Sequence, residues 1–404
     1  MKRAWSRSVQ VGAASVVIAI TAVGAQANET CGAAGRWVDP ATVTARDGTD
    51  LISSMAARQA VLLGEVHDQA EHHRWQLHTL AALYGRQPAM AIGLEMLPRA
   101  AQPVLDDWVA GKLTVEQLLE RSRWSEVWGF DPDLYLPVFH FARQNHLPMI
   151  ALNVDRDLIA RVGVEGWQAV PTEVREGVGD PAPAPAGYLD MLAQVYVVKA
   201  RMATGDGDSF DVPSPEERRE IDADPGFQHF VEAQLTWDRA MAEAIAARLG
   251  AADGPVRLVV ALVGRGHAEY GYGIPHQLAD LGIADTGVLL TARPPCDAVE
   301  AGVADAVFGL GDWQEPSPQG PRLGVMIASE DAGIVVQQVS SPSVAEATGL
   351  AEGDVIVEAA GTPVAAAGEL ISIIQRQAPG TWLPLVVQRN AERIDLVAKF
   401  PTTF

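Results

Sequence analysis

The sequence predicts an α/β domain with a mainly parallel sheet flanked by helices, followed by a small β-rich domain. Apolar runs rich in Val, Ile and Leu recur between helical stretches, which is typical of a parallel sheet covered on both faces. Beyond residue 321, short strands alternate with turn residues and one amphipathic helix. Proline and glycine interrupt the segment between these two patterns. We therefore predict an α/β domain at 28–300, a linker at 301–320 and a second domain at 321–404.

Hydrophobic periodicity places the main elements of the first domain. Three segments carry apolar residues at helical spacing, namely 71–85, 133–145 and 226–250. Segment 170–225 is rich in proline and acidic residues, so we expect an inserted subdomain or a mobile loop over the sheet edge. The five predicted strands are residues 59–66, 88–94, 147–153, 256–263 and 287–291.

Composition narrows the class of protein. Hydrophobic residues make up 48% of the chain and charged residues 20%, a balance typical of soluble globular domains. The formal net charge is -21. Because so acidic a surface repels phosphate groups, we expect neither nucleic acid nor anionic lipid as a partner.

The first residues have the layout of a secretory signal. Lys2 and Arg3 precede an apolar run that ends in a small-residue cleavage motif at Ala27. The run is shorter than the roughly 20 residues that a membrane-spanning helix needs. We expect cleavage near Ala27, a mature chain beginning near Asn28, and a periplasmic location.

The sequence contains two cysteines, Cys31 and Cys296. The residues before Cys31 are Asn, Glu and Thr rather than the small and aliphatic residues of a lipoprotein signal, which disfavours a lipid anchor. A disulfide between the two cysteines fits an exported protein, and two unpaired thiols are the alternative.

Polar side chains follow four of the predicted strands. Ligands of open α/β sheets bind beyond the carboxyl ends of the strands, so we expect these side chains to converge on one crevice. Taken singly, a histidine there more often caps a loop, and a glutamate more often pairs with an arginine. Because polar residues follow four separate strands, we favour a functional site over these single structural roles. The residues are Glu65, His67 and Asp68 after the first strand, Glu95 in the second, Asn153, Asp155 and Arg156 after the third, and Arg265 and His267 after the fourth.

Two of these histidines end matching tetrads, Gly64-Glu65-Val66-His67 and Gly264-Arg265-Gly266-His267. In each tetrad, glycine permits a tight exit from the strand. Two neutral imidazoles with a glutamate suit a divalent transition metal or supply a general base. The candidate catalytic residues are Glu65, His67, Glu95 and His267, and the candidate metal ligands are His67, Glu95 and His267.

Five segments in order resemble the ChaN-like haem-binding uptake family of the Tiki superfamily: GEVHDQAEHH, AIGLEM, the stretch from RWSEVWGF to NVDRDL, QLTWDRAMAEAI and VGRGHAEYGYGIPHQL. The resemblance implies an α/β fold, export, and a role in haem or iron handling, with haem as cofactor. The lipid-anchoring cysteine of many such proteins is not evident here.

The same resemblance bears on the candidate site. Related Tiki metalloproteases and erythromycin esterases use paired G-x-x-H histidines with a glutamate for hydrolysis. By motif position, their counterparts here are His67, Glu95 and His267. Tyr270 and Tyr272 are candidate haem-binding residues, and the alternative is that they only wall the crevice.

The C-terminal segment resembles a bacterial PDZ domain. Gly349-Leu350 and the stretch GDVI from Gly353 match that family's pattern, with Thr348 in place of alanine. The resemblance implies capture of peptide C-termini by a glycine-containing loop and a strand edge, at Leu323, Gly324, Val325 and Met326. Because the chain ends in an apolar Phe404, capture by a second copy would make a homo-oligomer.

Three function classes follow from these features. The first is an exported haem-binding or iron-binding protein with a peptide-binding module, which the resemblance favours. The second is a metal-dependent hydrolase that uses the paired histidines and a glutamate. The third is a scaffold that uses its PDZ domain to localise an inert α/β domain. We further expect that replacing His67 or His267 by alanine lowers ligand binding and changes stability little.

Overall fold

The structure is a computed structural model that describes residues 34–204, 213–251, 256–292, 299–311, 321–330, 333–390 and 392–402. The expected signal segment, both cysteines and part of the expected linker lie outside the described residues. The chain divides into two compact units, Met1–Asp312 and Trp313–Phe404, and each is described by itself.

The first unit contains an eight-stranded sheet with the order β2-β1-β8-β7-β3-β6-β4-β5. Six neighbouring strands, from β8 to β5 in that order, run parallel, and β1 pairs antiparallel with β2 and β8. The strands are β1 Trp37–Asp39, β2 Thr44–Arg46, β3 Ala60–Glu65, β4 Met90–Pro98, β5 Met149–Asn153, β6 Leu258–Gly264, β7 Thr286–Ala292 and β8 Ala306–Gly309.

Helices cover both faces of this sheet. They are α1 Gly48–Ala56, α2 Ala70–Tyr84, α3 Gln102–Val109, α4 Val115–Arg121, α5 Trp124–Val127, α6 Leu136–Gln144, α7 Arg156–Glu165, α8 Ala186–Thr204, α9 Pro215–Asp222, α10 Pro225–Leu249 and α11 Ile274–Asp280. Alternate side chains of β3 point to opposite faces of the sheet. Val61 and Leu63 belong to the core on one face, and Ala60 and Leu62 belong to the core on the other. Helices α2, α3 and α6 contribute to the first core, and α10 and α11 to the second.

All five predicted strands and all three predicted helices of this unit form, and the predicted fold class of a mainly parallel sheet flanked by helices is confirmed. Strand β3 is buried throughout, which explains its apolar sequence up to the terminal Glu65. Helix α10 begins after Asp224, whose side chain accepts a hydrogen bond from the Gly226 N–H, and Pro225 occupies its first position.

Of the two alternatives expected for segment 170–225, an inserted subdomain and a mobile loop, the helices α8 and α9 favour the inserted subdomain. Buried side chains such as Tyr188 and Leu192 give α8 an apolar face. One expectation about the surroundings of the sheet is wrong. The expected linker 301–320 begins too early, because Ala306–Gly309 forms β8 and pairs with β7. Strand β8 has four residues, too few for a clear alternating pattern.

The second unit is an antiparallel sheet with the order β14-β13-β11-β10-β9, and β12 pairs with β11. Its helices are α12 Val344–Thr348 and α13 Ala367–Gln375. Its strands are β9 Val325–Glu330, β10 Gly333–Val339, β11 Val355–Ala359, β12 Thr362–Pro363, β13 Trp382–Arg389 and β14 Glu392–Lys399. It therefore has the expected β-rich architecture. Among the described residues, we find no helix that is long and apolar enough to cross a membrane.

Candidate functional site

Three neighbouring parallel strands deliver the predicted polar residues to one place. In the sheet, β6 lies between β3 and β4. Glu65 ends β3 and His67 follows it, Glu95 lies near the end of β4, and His267 follows β6. Because parallel strands present their carboxyl ends on one side, these four residues from three distant segments meet in a single crevice.

Glu95 occupies the centre of this crevice and is 2% exposed. The distance from its Oε1 atom to His67 Nε2 is 3.9 Å, and the distance to His267 Nε2 is 3.6 Å. Its Oε2 atom accepts a hydrogen bond from the Gly264 N–H. Both imidazoles therefore direct the same ring nitrogen toward one carboxylate.

His67 is held from behind by Glu65. The His67 Nδ1 atom lies 2.8 Å from Glu65 Oε1, and that oxygen also accepts a hydrogen bond of 2.9 Å from the Tyr135 hydroxyl. His73 Nδ1 lies 3.2 Å from the other oxygen of Glu65. This carboxylate thus orients His67 and leaves its Nε2 atom facing the crevice.

His267 is held in the same way by a residue of α10. The His267 Nδ1 atom lies 2.6 Å from Asp238 Oδ1, and the Tyr188 hydroxyl donates a hydrogen bond of 2.6 Å to Asp238 Oδ2. The Gln234 side-chain nitrogen lies 3.2 Å from the same His267 Nδ1 atom. Each histidine of the pair is therefore backed by a buried carboxylate and a tyrosine.

The buried charges shift the pKa values of this cluster. Burial alone would lower the pKa of His267, but the charges of Glu95 and Asp238 raise it to about 9. Burial likewise opposes the raised pKa of His67, which its bond to Glu65 and the charge of Glu95 produce. Burial would raise the pKa of Glu65, yet its bonds to His67 and His73 hold it well below the ordinary range. His267 is therefore cationic near neutral pH, and the shift of His67 favours its protonated form.

Aromatic rings line the crevice beside the imidazoles. The Trp128 and Phe130 ring centroids lie 4.6 and 5.3 Å from that of His67, and the Trp237 centroid lies 5.1 Å from that of His267. The side chains of His67 and His267 are 13% and 8% exposed. The histidine pair is thus almost wholly buried among aromatic rings.

Tyr270 and Tyr272 stack on each other beyond His267, with ring centroids 5.3 Å apart and an interplanar angle of 21°. The Tyr270 hydroxyl donates a hydrogen bond to Glu300. No hydrogen bond joins the Tyr272 hydroxyl to another described residue. Across the described residues, neither tyrosine makes a hydrogen bond or ring contact with His67 or His267.

Tyr272 belongs to an apolar cluster between α8 and α10, which we call the α8–α10 cluster. The ring centroid of Tyr272 lies 6.2 Å from that of Tyr188, and Phe230 is half-buried in the same cluster with its ring 5.6 Å from that of Tyr196. The Lys199 ammonium lies 4.8 Å from the Phe230 ring centroid. Lys199 also acts electrostatically on His267, and it makes no ion pair with a carboxylate in the described segments. Members of the cluster are Tyr188, Leu192, Ala193, Phe227, Val231 and Leu235, with Leu189, Met191, Tyr196, Phe230 and Tyr272 partly buried.

The remaining polar residues at the strand ends have structural roles. The Asn153 side chain donates a hydrogen bond to the Glu95 carbonyl, and Asp155 caps the first turn of α7. Arg265 pairs with Glu269. Asp68 is exposed and accepts a hydrogen bond from its neighbour in sequence. These residues support the site without facing its centre.

Sequence reasoning missed Asp238, because α10 was interpreted as a purely structural helix. The signal was present in the sequence: Asp238 follows Leu235 by three residues and precedes Ala242 by four, so it falls on the buried stripe. A carboxylate at such a position requires a partner. Tyr135 and Tyr188 carried no comparable signal, since tyrosine is common in ordinary cores.

The expected metal site is not supported. Within the described segments, no three His, Cys, Asp or Glu side chains are grouped so that they would hold a metal ion. The Nε2 atoms of His67 and His267 lie on either side of Glu95, and their Nδ1 atoms bind other carboxylates. The cluster is arranged around hydrogen bonds between its own members.

In the second unit, residues 322–326 form a loop followed by an edge strand. Gly324 has a φ of +81°, and an added Cβ atom would lie 2.4 Å from the Cβ atom of Ser343, so only glycine fits. The carbonyls of Leu323 and Gly324 accept hydrogen bonds from Ala345 and Ser340, which fix the loop. Among the described strands, β9 pairs with β10 on one side only.

The described residues around β9 include half-buried apolar side chains. Val325 and Ile327 of β9 and Ile373 of α13 pack against the core, and Met326 is 57% exposed. Asp354 is buried and bonded to Arg389 and to the Ala351 N–H, so it fixes a turn.

Solved structures similar to this chain include a structure described as cofacial haem binding to ChaN of Campylobacter jejuni. It is 18% identical, with 67% of this chain and 95% of that chain covered and a TM-score of 0.49. The HtrA-type protease AlgW with a decapeptide is 29% identical over 19% of this chain, with a TM-score of 0.19. This chain covers 28% of that protease.

A further similar structure is the HtrA3 PDZ domain bound to a phage-derived ligand. It is 24% identical over 19% of this chain and 82% of that chain, with a TM-score of 0.18. No curated protein sequence matches the chain.

Family comparison covers both units of the chain. Residues 321–399 match the PDZ domain family, which confirms the expected second domain. Residues 51–278, more than half of the chain, match the family described as haem-binding uptake, Tiki superfamily, ChaN. The chain therefore belongs to the ChaN-like haem-binding uptake family of the Tiki superfamily, as its sequence motifs indicated.

Proposed function

We propose that the first unit binds haem and that Tyr272 is the iron ligand. The observation that carries this proposal is the state of the Tyr272 hydroxyl, which makes no hydrogen bond to another described residue while its ring stacks on Tyr270. A phenol oxygen is one of the axial ligands that proteins supply to haem iron. The family to which the chain belongs is a haem-binding one.

The surroundings of Tyr272 fit an amphipathic planar ligand. The half-buried Tyr272 and Phe230 rings belong to the α8–α10 cluster and offer apolar surface to a porphyrin. Lys199 supplies a cation at the edge of that surface, suited to a propionate. When bound, haem would supply an iron centre for storage or transfer, and the residues here would bind and orient it.

The histidine pair is less suited to ligate haem iron. The side chains of His67 and His267 are almost wholly buried, and aromatic rings pack beside both. His267, whose pKa is raised to about 9, is cationic near neutral pH, so an iron ion would first have to displace a proton there. Tyr272 is half-buried and makes no ring contact with either histidine within the described residues.

An absorption titration of the full chain with haemin tests the proposal. We expect a saturable Soret band in the wild type and at least a tenfold loss of affinity in Tyr272→Phe, because the variant lacks only the ligating oxygen. Tyr196→Phe is the matched control, since Tyr196 belongs to the same α8–α10 cluster but donates its hydroxyl hydrogen to Asp224. Equal loss in both variants, or in neither, would overturn the assignment of Tyr272.

A second candidate function is hydrolysis by acid–base catalysis in the crevice. One observation favours it: His67 and His267 each bind a buried carboxylate through Nδ1 and present Nε2 to the crevice. A neutral imidazole there would take a proton from water, hydroxide would attack an ester carbonyl, and the proton would return to the leaving alcohol.

A pH–rate profile with simple aryl esters tests this second function. Because the pKa values of both histidines are raised, the rate should increase as pH rises above neutrality. Glu65→Gln should remove most of the rate, since it removes the carboxylate that orients His67. A wild-type rate no higher than that of buffer at every pH would exclude the activity for these esters.

We also propose that the second unit binds peptide C-termini. The fixed loop at Leu323 and Gly324, the unpaired edge of β9 and the half-buried Val325 and Ile327 support this function. We expect a peptide with an apolar last residue to bind and its C-terminally amidated form to bind at least tenfold more weakly, which fluorescence anisotropy measures. Equal binding of the two peptides would refute carboxylate capture.

A further inference from the structure

We infer that Asp238 and Tyr188 are positioning residues that hold His267 with its Nε2 atom directed at Glu95. The inference rests on the proposed acid–base function of the crevice and names two residues of that site that carry no recognisable motif. Asp238 is charged, whereas the other buried residues of α10 are apolar except for Thr236.

Asp238 is fully buried, and both of its oxygens are used. One lies 2.6 Å from His267 Nδ1 and the other 2.6 Å from the Tyr188 hydroxyl. An ionised carboxylate in such a position is costly unless its partners compensate. Burial raises the pKa of Asp238, which its bonds to His267 and Tyr188 oppose.

The chain around His267 is built to permit this close approach. A Cβ atom added to Gly273 would lie 2.9 Å from Asp238 Oδ1 and 2.5 Å from the His267 carbonyl oxygen. Any other residue at position 273 would therefore separate the histidine segment from α10. Glycine allows the contact and thereby fixes the imidazole ring.

The same arrangement occurs on the opposite side of Glu95 with unrelated elements. There Glu65, from strand β3, binds His67 Nδ1 and accepts a hydrogen bond from Tyr135. On one side the carboxylate comes from a strand and on the other from a helix. In both cases a carboxylate between a tyrosine and Nδ1 leaves Nε2 facing Glu95.

The competing explanation is that Asp238 only satisfies a buried polar group. That explanation predicts a loss of stability on substitution and only the fall in the His267 pKa that loss of a nearby charge produces. A positioning role predicts in addition a change in the tautomer of neutral His267, because Asp238 holds the proton on Nδ1, and the ring-nitrogen shifts of the same sample report that tautomer. The two explanations therefore separate in a measurement that requires no ligand.

The test is an NMR titration of the histidine ring protons in the full chain. We expect the pKa of His267, about 9 in the wild type, to fall by about 1 unit or more in Asp238→Asn. Asp238→Glu should restore part of that shift, because it keeps the charge. Asp224→Asn is the matched control, since Asp224 also accepts a hydrogen bond from a tyrosine hydroxyl, that of Tyr196 in α8, but caps the N-terminus of α10 rather than binding His267.

Tyr188→Phe keeps the inference testable if Asp238→Asn does not fold. It leaves the Asp238 charge in place and should lower the pKa of His267 by a smaller amount, whereas Tyr196→Phe should not. Unchanged His267 titration in the folded variants would overturn the inference. If the wild type hydrolyses no ester, the acid–base function fails, and the titration still decides whether Asp238 positions His267.

Discussion

Replacing His267 by glutamine should destabilise the first unit by an amount that depends on pH. Asp238 is fully buried, and His267 is its cationic partner at 2.6 Å. Removal of that partner leaves a buried carboxylate without a compensating charge. The sequence alone led us to expect little change in stability, and the buried partner reverses that expectation.

The magnitude follows from the shift in the His267 pKa. Its value is raised from 6.5 to about 9 in the folded protein. A shift of that size corresponds to about 3 kcal/mol of stability from the protonated form, at about 1.4 kcal/mol for each unit. Because the folded pKa is the higher one, this stabilisation is fully present below pH 6.5 and is lost as pH rises through about 9.

Urea unfolding at a series of pH values measures this contribution. We expect the free energy of unfolding of His267→Gln to lie about 3 kcal/mol below that of the wild type at pH 6. The difference should be much smaller at pH 10, where the wild-type imidazole is neutral. His276→Gln is the matched control, since His276 bonds only a backbone carbonyl, and should change little at either pH.

The pH dependence of the stability difference between wild type and His267→Gln distinguishes a cationic pair from lost packing. A difference between wild type and His267→Gln that stays constant from pH 6 to pH 10 would contradict the cationic pair and would indicate lost packing alone. A difference that grows with pH would show the opposite sign of linkage and would also refute the reasoning.

Three further predictions follow. Gly324→Ala should abolish peptide binding in an anisotropy assay, because its Cβ atom would collide with Ser343, whereas Gly361→Ala has the same positive φ and open space and should bind normally. Lys199→Gln should weaken haemin binding by about tenfold in a Soret titration through loss of one charge-assisted contact, and unchanged affinity would remove Lys199 from the site. We propose that the chain is exported, so the intact mass of secreted protein should correspond to a start near Asn28. A retained N-terminal segment would show that proposal to be wrong.

The sequence predicted the central strands well because they are buried on both faces. Strand β3 up to Gly64 and strand β6 consist of uninterrupted apolar residues, a pattern typical of strands in a buried parallel sheet. The positions of His67 and His267 followed from the same strands, since each histidine comes just after a strand end. Parallel strand direction then explains why they meet.

The sequence could not predict features that depend on contacts between distant segments. Strand β8 is short, and it is held in the sheet by pairing with β7 and β1. The partner of His267 is 29 residues earlier in the chain, on a helix whose pattern otherwise indicates core. The separation of Tyr270 and Tyr272 from the histidine pair depends on the backbone turn after His267, where Tyr270 has a φ of 56°.

Identification of the axial ligand in the ferric haem complex tests the central claim most directly. Resonance Raman spectra of the full chain loaded with haemin, with ring-deuterated tyrosine as the label, distinguish phenolate from imidazole ligation. We expect phenolate vibrations that shift with the label and disappear in Tyr272→Phe. A complex that shows no phenolate vibrations, or that keeps them unchanged in Tyr272→Phe, would contradict the assignment of Tyr272 as the haem ligand.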